Sequence, residues 1–376
     1  MNKYDLSLGV IFYRDPIDAW YYDIHEIFDF DKNALNFRNF VGNISASGGG
    51  DGPEDWAGGF EMTKNLSWGN DSVKFIVHIA DAPAHGEDWV GGSDSYPSEG
   101  NRTDQVIEYF AQNNFSIAGF MVDYYQYPLP SFRRAQNIYR NNGNLKYFKK
   151  YFSTYDPYED YFLNLVYESF QYVSNTGMFL GIDVSEELGD IDWKKVKENN
   201  KVDFTLIRVG TGNDTDVKFE ENYKGAKNSG IPLGVYWVSK AGDKNEAEIE
   251  CEKFKDNLKG KTIEFPIYYV TEEEEFYSRK NEILSVFDDT FNSTDYLTGL
   301  RNKEEGIQDY SNFEEFDDYQ LWMSNVTEGF PDVIVDTSVW NYNNTGIIDG
   351  IKGNVSLVKS ILNYTQITLD NNYNIF

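Results

Sequence analysis

Four consecutive carboxylates, Glu272 to Glu275, follow directly on the apolar run from Phe265 to Thr271. A carboxylate at the end of a buried strand is where parallel barrels put their chemistry, although glutamates also favour the first turn of a helix. Asp183 closes another apolar run, and aromatic residues close several more: Tyr236 and Trp237, Tyr269, Trp322, Trp340 and Tyr342. Arg208 adds a guanidinium, and Ser185 and Ser356 add hydroxyls. Flat rings stack on sugar faces, and two carboxylates supply acid, base or charge stabilisation. Any one of these aromatics alone is better explained by core packing than by a cleft. Their recurrence at strand ends is what favours a carbohydrate cleft.

The elements that would position these residues can be counted. Eight strand-like runs follow a boundary near Ser174–Gly177: 178–184, 204–210, 232–238, 265–271, 296–300, 319–324, 337–342 and 353–357. Helical spacing appears at 193–198, 219–229, 244–258 and 277–291. Strands alternating with helices at this density predict a small, irregular (β/α)8 barrel over residues 177–362, followed by a tail, 363–376. In residues 1–174, strand-like runs at 6–13, 21–30, 74–80 and 116–122 alternate with helical ones, ending in an aromatic helix over 158–173. That alternation predicts a doubly wound parallel sheet.

Composition narrows the partners. A chain of 376 residues suggests two domains, and 40 % hydrophobic residues are ample for two cores. A formal charge of −29 argues against nucleic acid and against electrostatic attraction to an anionic membrane or cell wall. Cys251 is the only cysteine, so no disulfide framework is available. Eleven Asn-x-Ser/Thr sequons begin at Asn43, Asn65, Asn70, Asn101, Asn114, Asn213, Asn292, Asn325, Asn343, Asn354 and Asn363. Chance would give roughly four, so the excess favours a secreted glycoprotein, although no signal peptide follows Met1.

The second half resembles glycoside hydrolase family 25, the Chalaropsis-type lysozymes. The resemblance rests on Gly181-Ile-Asp-Val-Ser185 with Ile191-Asp-Trp193, on Gly230-Ile-Pro-Leu-Gly-Val-Tyr-Trp237, on Pro266-Ile-Tyr-Tyr269, on Trp340-Asn-Tyr342 and on Gly350-Ile-Lys-Gly-Asn-Val355. It implies a muramidase cutting the β-1,4 bond between N-acetylmuramic acid and N-acetylglucosamine, with no cofactor. Glu272 would be the proton donor and Asp183 the supporting carboxylate. Arg208, Tyr236, Tyr269, Trp322, Trp340 and Tyr342 would bind substrate, a bacterial cell-wall glycan or another N-acetylhexosamine polymer. Family members carry acidic residues at four strand ends. Here Val270 stands where the Asp-x-Glu motif has its aspartate, and Ser356 stands where the last strand has another. Losing such groups removes electrostatic stabilisation, on the order of 3 kcal/mol. An inactive glycan-binding or adhesion protein on the same scaffold is the alternative.

The first half resembles von Willebrand factor type A domains fused to some eukaryotic kinases, through Ser45–Asp55 and Phe75–Gly86. The chain opens at that family's second strand, without the Asp-x-Ser-x-Ser metal motif. The resemblance implies a protein partner for this half. Asp81, Asp51 and Ser47 are weak candidates for a partial metal site. His78, Asp81, His85 and Asp88 form a second cluster, in which His78 reads as a packed strand residue.

Overall fold

The computed structural model describes residues 6–15, 25–45, 52–90, 94–122, 128–151, 166–167, 169–170, 172–271, 280–292, 294–302, 319–324 and 337–371. The chain divides into two compact units, Met1–Ser174 and Asn175–Phe376.

In the first unit, β1 (Leu8–Tyr13) and β2 (His25–Asp31) form an antiparallel pair with Tyr13 opposite His25. A separate parallel sheet runs in the order β3 (Phe75–Ala80), β4 (Ser116–Met121), β5 (Tyr147–Tyr151). All six residues of central β4 are buried, as a strand covered on both faces requires. Helices α1 (Ala34–Val41), α2 (Trp56–Lys64), α3 (Glu87–Val90), α4 (Gly100–Gln112) and α5 (Leu129–Asn141) complete the unit. Asp55 caps α2 by accepting the Gly58 amide at 2.8 Å. The core joins Trp56, Phe60, Ile107, Phe110, Ile117 and Phe132.

The expectation of one doubly wound parallel sheet is therefore corrected among the described residues. Strands β1 and β2 pair antiparallel with each other and are not hydrogen-bonded to the parallel β3–β4–β5 sheet. Strand β5, unforeseen in the sequence, hides because Lys149 and Lys150 interrupt its apolar pattern. Residues 158–165 of the expected aromatic helix lie outside the described residues.

The second unit is a closed ring of eight strands. These are β6 (Thr176–Val184), β7 (Phe204–Thr211), β9 (Leu233–Val238), β10 (Ile267–Val270), β11 (Thr298–Asn302), β12 (Gln320–Met323), β13 (Thr337–Gly346) and β14 (Val355–Leu362). A two-residue strand, β8 (Asp214–Thr215), hairpins back onto β7. Neighbours from β6 through β13 pair in parallel, whereas β14 runs antiparallel to both β13 and β6. All eight expected strands are present, and the mixed α/β barrel holds. The eighth strand departs from the all-parallel plan because the turn from Gly346 to Val355 leaves no room for a crossover helix.

Helices α6 (Trp193–Asn199), α7 (Phe219–Asn228), α8 (Lys244–Leu258), α9 (Lys280–Phe291) and α10 (Tyr364–Asn371) belong to this unit. Outward-facing Trp237 packs on Phe254 of α8 at 5.8 Å, and outward-facing Tyr269 stacks on Phe287 of α9 at 5.2 Å. Residues 364–371 of the expected tail are instead the helix α10. Tyr364 is fully buried, with its hydroxyl 2.7 Å from Gln320 Oε1 and its ring against Phe265.

Candidate active site at the barrel mouth

Side chains alternate along a strand, so the outward Trp237 and Tyr269 turn Tyr236 and Tyr268 inward. Register carries the same face around the ring: Arg208 pairs with Tyr236, Tyr236 with Tyr268, Val270 with Arg301, Arg301 with Trp322, and Ser356 with Asp183. The C-terminal ends of the parallel strands thus deliver Asp183, Arg208, Tyr236, Arg301 and Trp322 to one mouth, and β14 adds Ser356.

Asp183 is held from two sides. Arg301 Nη1 lies 3.4 Å from its Oδ2, with both side chains largely buried. The Tyr236 hydroxyl hydrogen-bonds to the same carboxylate. Burial first, and then the negative charge of Asp183, push that hydroxyl well above the usual tyrosine range. The Arg301 guanidinium lies 4.2 Å from the centre of the Trp322 ring and 5.8 Å from that of Tyr236. Trp322 in turn meets Tyr236 and Tyr268 edge-on at 5.4 and 5.3 Å.

A neutral hydrogen-bond chain leads away from the indole. Trp322 Nε1 donates to Asn341 Oδ1 at 2.8 Å, Asn341 Nδ2 donates to Ser356 Oγ at 2.7 Å, and Ser356 donates to Asn344 Oδ1 at 2.8 Å. Arg208 sits inside its own carboxylate cage: Asp216 at 3.0 Å, Glu187 at 2.8 Å and Glu186 at 3.4 Å. The Ser185 hydroxyl also bonds to Glu187.

Of the residues foreseen from sequence, Asp183, Arg208, Tyr236 and Trp322 come together. Three others are placed elsewhere. The Tyr269 hydroxyl points outward to Glu250 at 2.8 Å and Ser239 at 2.9 Å. Trp340 and Tyr342 lie on the outer surface of β13, where the Lys359 ammonium sits 5.9 and 4.5 Å from their rings. Glu272 lies outside the described residues. Arg301, Tyr268, Asn341 and Asn344 went unforeseen. The signal for Arg301, a lone cation at a strand end, stands one residue beyond the limit expected for that strand.

In the first unit, Asp81 is exposed, and Asp51 and Ser47 lie outside the described residues. No group of three or more His, Cys, Asp or Glu side chains that could hold a metal occurs among the described residues. His78 is packed as expected, among Trp56, Phe60 and Phe132, with Tyr13 Oη 3.1 Å from its Nε2. Burial pulls it down to about 3. His85 lies between Asp94 at 2.6 Å and Asp15 at 3.1 Å, while Asp88 faces Arg134 at 3.9 Å.

Residues 182–351 match the family description "Glycosyl hydrolases family 25", so the second unit carries a domain of that family. Among curated proteins, the chain is 24 % identical over 184 residues to the autolytic lysozyme of Clostridium acetobutylicum, covering 47 % of this chain and 54 % of that one. It is 31 % identical over 160 residues to the alpha-protein kinase vwkA of Dictyostelium discoideum, covering 38 % of this chain and 24 % of the kinase. The chain therefore spans about half of one relative and about a quarter of the other. Among solved structures, a bacterial lysozyme from Streptomyces coelicolor aligns over 53 % of this chain and 99 % of its own, at 21 % identity and a TM-score of 0.46. The modular autolysin LytC from Streptococcus pneumoniae aligns over 48 % of this chain and 46 % of its own, at 24 % identity and a TM-score of 0.44.

Proposed function

We propose that the second unit is a lysozyme-type glycoside hydrolase that cuts the β-1,4 bond between N-acetylmuramic acid and N-acetylglucosamine in peptidoglycan. What carries the reading is Asp183, an inward carboxylate held by Tyr236 and Arg301 at the C-terminal mouth of a closed barrel within a family 25 match. Glu272 is assigned as general acid, and Asp183 orients the sugar or stabilises developing positive charge. We assign Tyr236 and Trp322, both nearly fully buried, to the floor of the substrate site. The test is loss of turbidity of purified bacterial cell walls. Glu272→Gln and Asp183→Asn should each lower the rate by 100-fold or more, on the order of removing one transition-state contact. Equal clearing by wild type and both variants overturns the reading.

One observation favours a second reading, a glycan-binding module without turnover. Ser356, in the place of a family carboxylate, is committed to Asn341 and Asn344 through short neutral hydrogen bonds. That reading expects chitooligosaccharide binding with no product released.

Two further assignments accompany the hydrolase. We assign the first unit a von Willebrand factor A-like role in recruiting a protein partner, resting on the residue motifs alone. We also assign the product to the secreted glycoproteins. Of the ten sequon asparagines among the described residues, none is buried: Asn343 and Asn363 are half-buried and the others are exposed. No helix among the described residues is long and apolar enough to cross a membrane.

A further inference from the structure

We propose that Arg301 is the positioning residue of this mouth: clamped on the Trp322 indole, its guanidinium fixes Asp183 in the place where neighbouring carboxylates would otherwise organise the site. The inference rests on the hydrolase reading for its catalytic consequence, but its structural content does not. Three observations carry it. Arg301 is the partner in register of Val270 on the adjacent strand, so the two side chains share the inner face. Valine offers the guanidinium nothing to bond, and the head group reaches instead to Asp183 Oδ2 at 3.4 Å. Trp322 supplies the surface beneath it, at 4.2 Å, and the indole is itself pinned by Asn341 at 2.8 Å. A planar guanidinium is suited to this double task, since it can stack on a ring and donate in plane at once.

Among the described residues, Arg301 is the cation whose ion pair with Asp183 the geometry shows, at 3.4 Å. Strand β7 presents Arg208, whose charge is met by Asp216, Glu187 and Glu186. Strand β9 presents Tyr236, a neutral donor. Strand β10 presents Tyr268 and Val270, strand β12 Trp322, and strand β14 Ser356, none of which is charged. Arg301 thus brings an opposite charge against a largely buried carboxylate, the arrangement that favours its ionised form.

The experiment follows the Asp183 carboxyl carbon by NMR titration in the full-length protein labelled at aspartate, its signal assigned with Asp183→Asn. In Arg301→Gln the Asp183 midpoint should rise by about one pH unit or more. Arg301→Lys should return part of that shift, because it restores charge without the planar stack. Cell-wall turnover provides the second arm. In Arg301→Gln, kcat should fall about tenfold or more while KM changes less than threefold, and the acidic limb of kcat/KM should move up with the NMR midpoint. An Asp183 midpoint unchanged in both folded variants overturns the proposal, whatever the activity. A shifted midpoint in a protein that never clears cell walls sinks the hydrolase reading and leaves the positioning role standing.

Discussion

Ser356 is the residue at which an added carboxylate would be felt most directly. It faces Asp183 across the β14–β6 pair, accepts from Asn341 and donates to Asn344. Ser356→Asp places a second anion beside Asp183 and turns the Asn344 carbonyl oxygen toward a group with no proton to give. Asn344 is exposed and water can take the place of the lost donor, so we expect a loss of no more than about 1 kcal/mol in urea unfolding, together with a raised Asp183 midpoint. Paired with Val270→Asp, which faces Arg301 in register, the substitution should draw the guanidinium away from Asp183. A gain in clearing by that double variant over wild type would show that carboxylate number outweighs the Arg301 contact. Tyr236→Phe removes only the donor to Asp183 and should lower kcat about tenfold with little change in fold, checked by turnover and circular dichroism. At this scale the sequence is legible where one face is polar and illegible where neither is. Asp183 could be placed because it ends an apolar run. Tyr268 and Tyr269 could not be told apart, because a parallel strand buried on both faces has no alternation to read. The same reason sent Trp340 outward, although the inward position next to it belongs to Asn341.

The elements answer to contacts that sequence periodicity does not encode. Strand β14 was legible as a strand, but its direction depends on the length of the preceding turn and on pairing with β6 across the barrel seam. Helix α10 was not legible at all. Its amphipathic pattern is weak, and it is fastened chiefly by Tyr364, whose hydroxyl reaches Gln320 and Ser338 while its ring packs on Phe265, with Thr368 donating to the Glu264 carbonyl oxygen at 2.8 Å. Truncating that side chain removes a fully buried aromatic, so Tyr364→Ala should cost about 3–5 kcal/mol, read as a lowered urea midpoint. Helix α7 passes the start of α6 by means of Gly225. A Cβ there would sit 2.1 Å from Trp193 Cδ1, and the indole is itself nearly fully buried. Gly225→Ala should therefore destabilise by about 1–3 kcal/mol despite the better helix propensity of alanine, and Trp193→Leu in the same chain should recover part of the loss. The doubly wound reading of the first unit failed for a related reason: strand and helix alternation was correctly seen, but which strands pair, and in which direction, is not encoded in periodicity.

Across the whole molecule, two buried titrating groups give the units opposite responses to acid. His78 in the first unit is held neutral by burial, its folded value lowered to about 3 from an ordinary 6.5. Between those values the unfolded chain binds more protons than the folded one, so this group's contribution falls as pH drops, by up to roughly 1.4 kcal/mol per pH unit. Glu250 in the second unit is raised from its ordinary 4.5, first by burial and then, in the same direction, by the nearby charge of Glu246; hydrogen bonds from Lys240, Ser239 and Tyr269 pull the other way. There the folded state holds the extra proton, and stability is lost as pH rises through the folded value. The formal charge of −29 adds a general self-repulsion that acid relieves. Acidification from pH 7 to 4 should thus weaken the first unit through His78 while sparing the second. Thermal unfolding of His78→Phe should show a clearly smaller loss of Tm over that range than wild type, even if its Tm at pH 7 is lower because Tyr13 loses its partner. Glu250→Gln should change in the opposite sense, with its difference from wild type shrinking as pH falls. Parallel Tm curves for wild type and His78→Phe between pH 7 and 4 would mean that His78 is not the acid-sensitive group, and the carboxylates gathered around His85, Asp15 and Asp94, become the next to test.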